Sequence, residues 1–197
     1  MSRLVLASNN VKKAAELSAL LEPLGLEVIP QGALGVGEAE EPHATFIENA
    51  LAKARHAARE TGLPALADDS GLCVHALGGL PGVQSARFAG EPKSDARNNE
   101  QLLSRLADVD DRRAFFYCLL VLLRHEADPH PLIADGQWNG EILRAPRGDN
   151  GFGYDPLFLL PEMDQTAAEL DGALKNTLSH RAQAMRHLLT RLQANPL

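Results

Sequence analysis

The sequence predicts an α/β fold with a mixed central β-sheet and flanking helices, and two features of the chain lead to this prediction. In the first third, short apolar runs alternate with segments of helical periodicity, an order typical of strands and helices packed in layers. Further along, longer apolar runs rich in aromatic and branched residues indicate extended buried strands. With 197 residues the chain can bury a substantial core, and we expect a single domain over 1–197.

The first third is predicted to contain three strands and two helices. Gly25 and Gly62 lie where the two helices are expected to end, because glycine readily adopts the left-handed conformation of a helix C-cap. Thr45 and Glu48 fit a capping box at the start of the second helix. The predicted elements are, in order, a strand at 3–7, a helix at 11–24, a strand at 26–30, a helix that begins at 42 or 45 and ends at 61, and a strand at 64–67.

The rest of the chain is predicted to be richer in strands. The apolar run at 114–123 fits a helix or a strand by its pattern, and its Phe, Tyr, Cys and Val content favours a long buried strand. The glycines at 78–82 indicate a turn. The other predicted elements are a helix at 95–106, strands at 131–143 and 156–160, and a closing amphipathic helix at 179–193.

Charge and hydropathy exclude several classes of protein. The net charge of −7 argues against binding of a nucleic acid polymer, whereas a small anionic ligand remains compatible with it. The longest apolar run, 114–123, is too short for a transmembrane helix, and the first residues lack a signal-type apolar stretch. We therefore expect a cytoplasmic protein without membrane association. Cys73 and Cys118 lack metal-site spacing and are expected to be buried free thiols.

Basic residues lie at two predicted helix starts, where they oppose the helix dipole. Lys12 and Lys13 follow the polar turn at 8–10, and His180 and Arg181 follow a serine N-cap. Each such cation costs roughly 0.3–1 kcal/mol unless an anion compensates it. A strand, a polar turn and a helix N-terminus make a plausible phosphate site. In the alternative interpretation the turn only caps the helix and the cations are solvated.

Carboxylates are concentrated at the end of one predicted strand and in one predicted loop. Asp68 and Asp69 follow the strand at 64–67, and adjacent carboxylates at a strand end are suited to hold Mg²⁺ through one or two oxygens. An ordinary Asp-Ser-Gly turn is the alternative. The loop before the second helix adds Glu38, Glu40 and Glu41, which read as solvated surface or as a second source of metal ligands.

Two other polar segments are open to more than one interpretation. Thr45, Asn49 and Lys53 form a stripe at helical spacing that is typical of a solvated helix face. The loop at 149–156 places Phe152 between glycines, where it can stack on a base or pack within a β-turn. The chain has neither a dinucleotide fingerprint nor a Walker A loop, and without a G-x-S-x-G motif Ser70 is a poor candidate for a nucleophile.

Taken in order, these motifs resemble those of the inosine triphosphate pyrophosphatases, also called dITP/XTP pyrophosphatases. Each motif alone is weak, whereas the ordered set is specific and covers nearly the whole chain. In one departure, the first turn has Asn9 where the family often has glycine; asparagine also tolerates the left-handed conformation. The matching segments include Ser8-Asn9-Asn10-Val11-Lys12-Lys13, Glu40-Glu41, Thr45-Phe46-Ile47-Glu48-Asn49-Ala50, Ala67-Asp68-Asp69-Ser70-Gly71-Leu72, Gly78-Gly79-Leu80-Pro81-Gly82-Val83, Gly151-Phe152-Gly153-Tyr154-Asp155-Pro156 and Ser179-His180-Arg181.

The resemblance implies two lobes around an active-site cleft, a homodimer and Mg²⁺ as cofactor. It assigns the metal to Glu41 and Asp69, with Asp69 also the general base, and leaves open whether Asp68 or Glu40 also serves the metal. Triphosphate binding is assigned to Ser8, Asn9, Asn10, Val11, Lys12 and Lys13, with help from Lys53. Further substrate contacts are assigned to Ser70, Phe152, Gly153, Tyr154, Asp155, Lys175, His180 and Arg181.

The reaction implied by the resemblance is attack of water on the α-phosphorus of ITP, dITP or XTP, which releases the monophosphate and pyrophosphate. Hydrogen-bond donors near His180 and Arg181 are expected to select bases with a 6-oxygen over adenine. A related class, the Maf-like nucleotide pyrophosphatases, is disfavoured by Asn9, Asn10 and Lys13 and by the Ser179-His180-Arg181 motif. A non-catalytic nucleotide-binding protein is disfavoured because Glu41, Asp68 and Asp69 are all present.

Overall fold

The computed structural model describes residues 2–9 and 11–197, and for residues 11, 12, 13, 16 and 20 it describes the backbone alone. The chain forms two compact units built from alternating segments. The first unit comprises the chain up to Asp69 together with Leu119–Asp135 and Ala184–Leu197. The second unit comprises Ser70–Cys118 and Gly136–Gln183. The expectation of a single domain stays a prediction.

Within the described residues, seven strands form one mixed sheet, which confirms the predicted fold class. The strands are β1 (Ser2–Leu6), β2 (Leu26–Pro30), β3 (Ala65–Val74), β4 (Arg113–Leu123), β5 (Leu132–Ile142), β6 (Phe158–Leu160) and β7 (Gln165–Thr166). Their order is β2-β1-β3-β4-β5-β6-β7. β1 is parallel to β2 and β3, whereas β6 is antiparallel to β5 and β7. The two lobes around a cleft stay a prediction.

Five α-helices accompany the sheet in the part of the chain that the structure describes. They are α1 (Val11–Leu21), α2 (Phe46–Thr61), α3 (Asp95–Arg105), α4 (Gly172–Leu178) and α5 (His180–Ala194). α1 ends three residues earlier than predicted, and Glu22–Leu24 forms a 3₁₀ turn instead. Pro23 explains the difference, since proline lacks the N–H that a continuing α-helix needs.

The ends of α2 agree with the capping signals in the sequence. Thr45 Oγ1 accepts a hydrogen bond from the Glu48 N–H at 3.3 Å, and the Glu48 carboxylate contacts the same hydroxyl at 2.5 Å. Gly62 adopts a left-handed conformation and donates its N–H to the Ala58 carbonyl. These contacts fix where α2 begins and ends, and with them the position of the polar residues along it.

β3 is longer than predicted, because it continues through the acidic segment instead of turning there. The sequence predicted a strand at 64–67 and left an ordinary Asp-Ser-Gly turn after it as an alternative; the predicted end of the strand and this alternative are wrong, because β3 spans Ala65–Val74. Gly71 lies within the strand, and a Cβ there would come 2.3 Å from the Gly82 carbonyl oxygen and 2.5 Å from Ser85 Oγ. Ser85 Oγ also accepts the Leu72 N–H at 2.9 Å. The glycine therefore serves close packing of two segments and not a turn.

Two short elements near residue 160 also differ from the prediction. Asp155–Leu157 is a 3₁₀ turn, so only Phe158–Leu160 of the strand predicted at 156–160 is extended. α4 was not predicted, because seven residues give little periodicity. Its start is marked by Asp171, whose side chain accepts the Ala173 N–H at 2.8 Å.

Each unit has its own buried apolar residues. In the first, Leu4, Val5 and Leu6 of β1 are fully buried, as is typical of a strand with parallel neighbours on both sides. In the second, Phe116, Trp138 and Phe158 belong to one core cluster. Cys73 and Cys118 are buried and lie outside any disulfide, as predicted. Burial raises the pKa of the Cys73 thiol to about 11. No helix among the described residues has the length and apolar character to cross a membrane.

Candidate active site

The first unit gathers carboxylates around one lysine. Lys53, on α2, places its ammonium 2.5 Å from Glu41 Oε1 and 3.4 Å from Asp69 Oδ1. Glu41 belongs to the loop before α2, and Asp69 belongs to β3. Both predicted metal ligands therefore face the same cation. The sequence placed Lys53 on a solvated face, but its side chain is only 15% exposed.

Asn49 completes this cluster, and its role was missed by the sequence analysis. It lies one turn before Lys53 on the same face of α2 and is 1% exposed. Its Nδ2 donates to Asp69 Oδ2 and to the His43 carbonyl, both at 3.3 Å, while its Oδ1 accepts the His43 N–H at 3.0 Å. The sequence signal that could have indicated this role is the spacing of four residues between Asn49 and Lys53, in a helix that follows an acidic loop.

Burial and neighbouring charges together shift the pKa values of Asp69 and Lys53. Burial raises the pKa of Asp69 above its ordinary value, and the nearby charge of Glu41 adds to this, although Lys53 and Asn49 act in the opposite direction. For Lys53, burial lowers the pKa, but the carboxylates of Asp69, Glu41 and Asp68 together raise it above its usual range. Lys53 therefore stays protonated and offsets part of the negative charge.

The donor set suits a hard divalent cation. Mg²⁺ prefers oxygen ligands and is usually held by one or two carboxylates together with water and substrate phosphates. Glu41 and Asp69 supply two carboxylates that already converge on one positive group. Among the described residues no group of three or more His, Cys, Asp or Glu side chains forms a closed metal cage. The arrangement thus fits a metal that shares its coordination with a substrate.

The turn after β1 is described only in part. Ser8 is half-buried and its N–H donates to the Leu6 carbonyl at 2.8 Å. Asn9 is exposed, and its Oδ1 accepts the Gly32 N–H at 2.9 Å, so this side chain holds the chain after β2. Asn10 and the side chains of Val11, Lys12 and Lys13 lie outside the described residues. Triphosphate binding by this turn therefore stays a prediction.

The second unit contains an aromatic loop that presents Phe152. The ring is 66% exposed, whereas the neighbouring Asp155 is buried. Asp155 Oδ2 accepts the Phe152 N–H at 2.8 Å and the Lys175 ammonium at 2.5 Å. The Lys175 Nζ also lies 5.3 Å from the centroid of the Phe152 ring. The structure thus brings together three of the predicted substrate residues, Phe152, Asp155 and Lys175.

The other residues of this segment are held by α3 and by the chain after β3. The Tyr154 hydroxyl donates to the Ser85 carbonyl at 2.8 Å, and burial raises its pKa above the ordinary range. The Gly153 N–H donates to Asp95 Oδ2 at 2.7 Å, and the Gly153 carbonyl accepts from Asn99 Nδ2 at 3.0 Å. The sequence analysis did not single out Asp95 or Asn99. Their spacing of four residues at a helix start was the available signal.

The start of α5 carries the remaining predicted substrate residues. Ser179 Oγ accepts the Ala182 N–H at 3.3 Å, as expected of an N-cap. The His180 ring stacks on Phe116 with centroids 5.0 Å apart and planes 15° apart. Arg181 has a buried Nε with no hydrogen-bond partner among the described residues. The buried Nε–H of Arg181 requires an acceptor, which a bound ligand can supply.

Ser70, the remaining predicted substrate residue, lies half-buried within β3.

Comparison with known proteins agrees with the fold and with these motifs. The model of the Ham1 family matches residues 4–191. A dITP/XTP pyrophosphatase from Aromatoleum aromaticum is 72% identical over 196 residues, which cover 100% of this chain and 99% of that protein. One from Ralstonia nicotianae is 65% identical, with 98% of each chain covered.

Solved structures of Ham1 proteins share the fold of this chain. A HAM1 protein from Coxiella burnetii has a TM-score of 0.96 and 52% identity, covering 98% of this chain and 100% of that one. The Staphylococcus aureus Ham1 protein has a TM-score of 0.91 and 39% identity, covering 98% and 99% respectively. With its sequence, its fold and its ordered motifs in agreement, this chain belongs to the Ham1 family.

Proposed function

We propose that this protein hydrolyses non-standard purine nucleoside triphosphates, namely ITP, dITP and XTP, to the nucleoside monophosphate and pyrophosphate. The substrate class is supported by the full-length similarity to proteins named dITP/XTP pyrophosphatase. The chemistry is supported by one observation above the others, the convergence of Glu41 and Asp69 on the Lys53 ammonium. A site of this kind can offset the charge of a triphosphate and of its pyrophosphate leaving group.

Glu41 and Asp69 would hold a divalent cation, which we propose to be Mg²⁺. When bound, this ion would offset charge on the triphosphate and help to orient it. Lys53 adds a second positive charge at the same place. Asp69 accepts a proton from the water that attacks the α-phosphorus, and a raised pKa suits a carboxylate to this task near neutral pH. The bond from the α-phosphorus to the bridging oxygen then breaks, and pyrophosphate leaves.

Selection of the base is assigned to the second unit. Phe152 offers an exposed aromatic face on which a purine can stack. The buried Nε–H of Arg181 would find its acceptor in the 6-oxygen of hypoxanthine or xanthine. Adenine has an amino group at that position, so its binding would leave the buried donor unpaired, and such mismatches discriminate by about 10⁴-fold or more.

The resemblance also supports a homodimer in the cytoplasm that removes these nucleotides from the pool used for nucleic acid synthesis. A homodimer would elute from a calibrated column at about twice the mass of the 21.2 kDa chain.

The function is tested by product analysis with Mg²⁺ and separate samples of ITP, XTP, GTP and ATP. Pyrophosphate and phosphate are resolved, and the nucleotide products are identified by chromatography. We expect pyrophosphate with IMP or XMP, and little turnover of ATP. Little turnover of GTP is also expected, and it requires that the pocket refuse the 2-amino group, because guanine carries the same 6-oxygen. Release of phosphate, or equal use of ATP, would contradict the reaction or the base selection respectively. Binding of ITP without any turnover would favour a non-catalytic nucleotide-binding protein.

A further inference from the structure

Phe152 combines the most exposed large aromatic side chain among the described residues of the second unit with a hydrogen-bonded backbone. Phe152 is 66% exposed, yet its N–H donates to Asp155 Oδ2 at 2.8 Å and its carbonyl accepts the Asp155 N–H at 3.2 Å. Asp155 is in turn held by Lys175. An exposed ring on a fixed backbone is ready to meet a flat ligand without an ordering cost.

The next residue, Gly153, is held from the opposite side by α3. Asp95 Oδ2 accepts its N–H at 2.7 Å, and Asn99 Nδ2 donates to its carbonyl at 3.0 Å. Asp95 and Asn99 are four residues apart and therefore share one face of the helix. Both polar groups of the Gly153 backbone are thus satisfied by two side chains of one rigid element.

The helix itself is well anchored, so it can act as a reference for the loop. Ser94 caps its start by accepting the Arg97 N–H at 3.4 Å. Asn98 is buried and bonds to the backbone of Ser85, Ala86 and Ala89. A side chain that is fixed by packing and by its neighbours places the next group accurately.

We propose that Asp95 and Asn99 are positioning residues for base recognition: they clamp the Gly153 peptide and so aim the Phe152 ring at the purine. This inference rests on the proposed function, in which Phe152 stacks on the base. Neither Asp95 nor Asn99 touches the substrate in this account. Their effect passes through the backbone on either side of Phe152.

The clamp predicts a specific kinetic pattern. Stacking of a base on an aromatic ring contributes about 5- to 150-fold to affinity. Removal of the acceptor in Asp95→Ala should lose part of this and raise KM for ITP about 3- to 10-fold with kcat unchanged, because stacking serves substrate and transition state alike. A loss of folded protein would instead lower kcat and leave KM unchanged.

The chain offers matched controls. Asp95→Asn keeps an oxygen that can accept the Gly153 N–H and removes only the charge at the start of α3, so KM should stay within about two-fold of wild type. Glu100→Ala removes an exposed acidic side chain from the same helix away from Gly153, and it should change neither constant. An effect of helix charge would appear in Asp95→Asn as well.

A double-mutant cycle separates this inference from the proposed function. If Phe152→Ala raises KM and Asp95→Ala adds nothing in that background, the clamp acts through the ring. If the two effects multiply, or if Asp95→Ala leaves KM unchanged while Phe152→Ala raises it, the inference is overturned and stacking stands. If Phe152→Ala has no effect, the proposed stacking fails, and the inference fails with it.

Hydrogen exchange gives a readout that does not need activity. The clamp predicts faster exchange of the amides at 151–155 in Asp95→Ala than in wild type or in Asp95→Asn. This holds even if the wild-type protein releases no pyrophosphate, in which case the proposed function alone fails. Equal exchange of this segment in all three proteins would overturn the clamp.

Discussion

Each unit of the molecule contains a lysine paired with a buried aspartate, and the two pairs differ in what surrounds them. In the first unit, Lys53 lies near the carboxylates of Asp69, Glu41 and Asp68, which together raise its pKa. In the second, Lys175 contacts Asp155, which also accepts the Phe152 N–H. One pair belongs to a charged cluster and the other supports an aromatic loop.

This difference indicates what each pair can bind. Carboxylate oxygens that converge in a partly buried place suit a hard divalent cation, because such an ion prefers oxygen ligands. The pair of Lys175 and Asp155 lies beside an exposed ring instead, and it stiffens a surface on which a neutral base can stack. The first cluster therefore suits the metal and the phosphates, and the second suits the purine.

The largest expected effect comes from breaking the charged cluster with Asp69→Asn. This variant keeps the shape of the side chain and removes both the proton acceptor and one metal ligand. We expect kcat/KM for ITP to fall by at least about 10³-fold, since general base catalysis alone contributes about 10² to 10⁴. Binding of Mn²⁺, followed by its electron spin resonance, should weaken in parallel. A loss of less than ten-fold with unchanged Mn²⁺ binding would contradict the role of Asp69.

A smaller loss of kcat/KM is expected from Arg181→Ala, which tests recognition of the purine base. A hydrogen bond from a charged donor contributes about 1.5–3 kcal/mol, so kcat/KM for ITP should fall roughly 10- to 150-fold. Mn²⁺ binding should stay unchanged, because the metal is assigned to the other unit. An unchanged kcat/KM for ITP would remove Arg181 from base recognition.

The support of the aromatic loop is tested by Gly151→Ala. Gly151 has a φ of 82°, and a Cβ there would come 2.2 Å from Asp155 Oδ2. We expect a loss of about 1–3 kcal/mol in the free energy of unfolding, measured with urea, from the strained backbone. KM for ITP should rise as the contact between Asp155 and Lys175 is disturbed. Gly172→Ala is the control, since nothing lies within 4 Å of a Cβ there and Gly172 begins α4: it should leave KM unchanged and raise the free energy of unfolding by no more than about 0.4–1 kcal/mol.

A third aspartate, Asp128 of the first unit, has a lowered pKa, whereas the pKa of Asp69 is raised. Burial alone would raise the pKa of Asp128, but hydrogen bonds from the Arg124 and His130 N–H groups and from the Arg124 guanidinium outweigh it and lower the pKa. Such a group stabilises the folded state above its unfolded pKa of about 3.9, and this contribution is lost as the pH falls through the lower folded value.

We therefore expect Asp128→Asn to reduce the free energy of unfolding at pH 7 by about 1–2 kcal/mol, with a smaller difference from wild type below pH 3. Activity towards ITP should be unchanged, because Asp128 has structural partners only in the contacts described. A difference in stability that grows as the pH falls would contradict this assignment.

Local signals in the sequence predicted much of the fold. The capping pair Thr45 and Glu48, the N-cap at Ser179 and the glycine after α2 each act within a few residues, so they can be read without tertiary structure. The preference for a strand over a helix at 114–123 was also correct, because β4 spans Arg113–Leu123. These features depend on local propensity and hydrogen bonding.

Features that depend on distant contacts were not predicted. Asn49 belongs to a stripe that looks solvated, and its burial depends on Asp69 and His43, which follow from the packing of β3 and a loop. Gly71 looks like a turn residue until Ser85 is seen against it. The clamp of Asp95 and Asn99 on Gly153 joins residues more than fifty positions apart. Sequence spacing cannot supply such contacts.

The central claim is that water attacks the α-phosphorus beside the Glu41, Lys53 and Asp69 cluster, and isotope transfer tests it most directly. ITP is hydrolysed with Mg²⁺ in water enriched in ¹⁸O, and both products are analysed by mass spectrometry. The account predicts one ¹⁸O atom in IMP and none in pyrophosphate. Label in pyrophosphate with unlabelled IMP would mean attack at the β-phosphorus and would contradict the account.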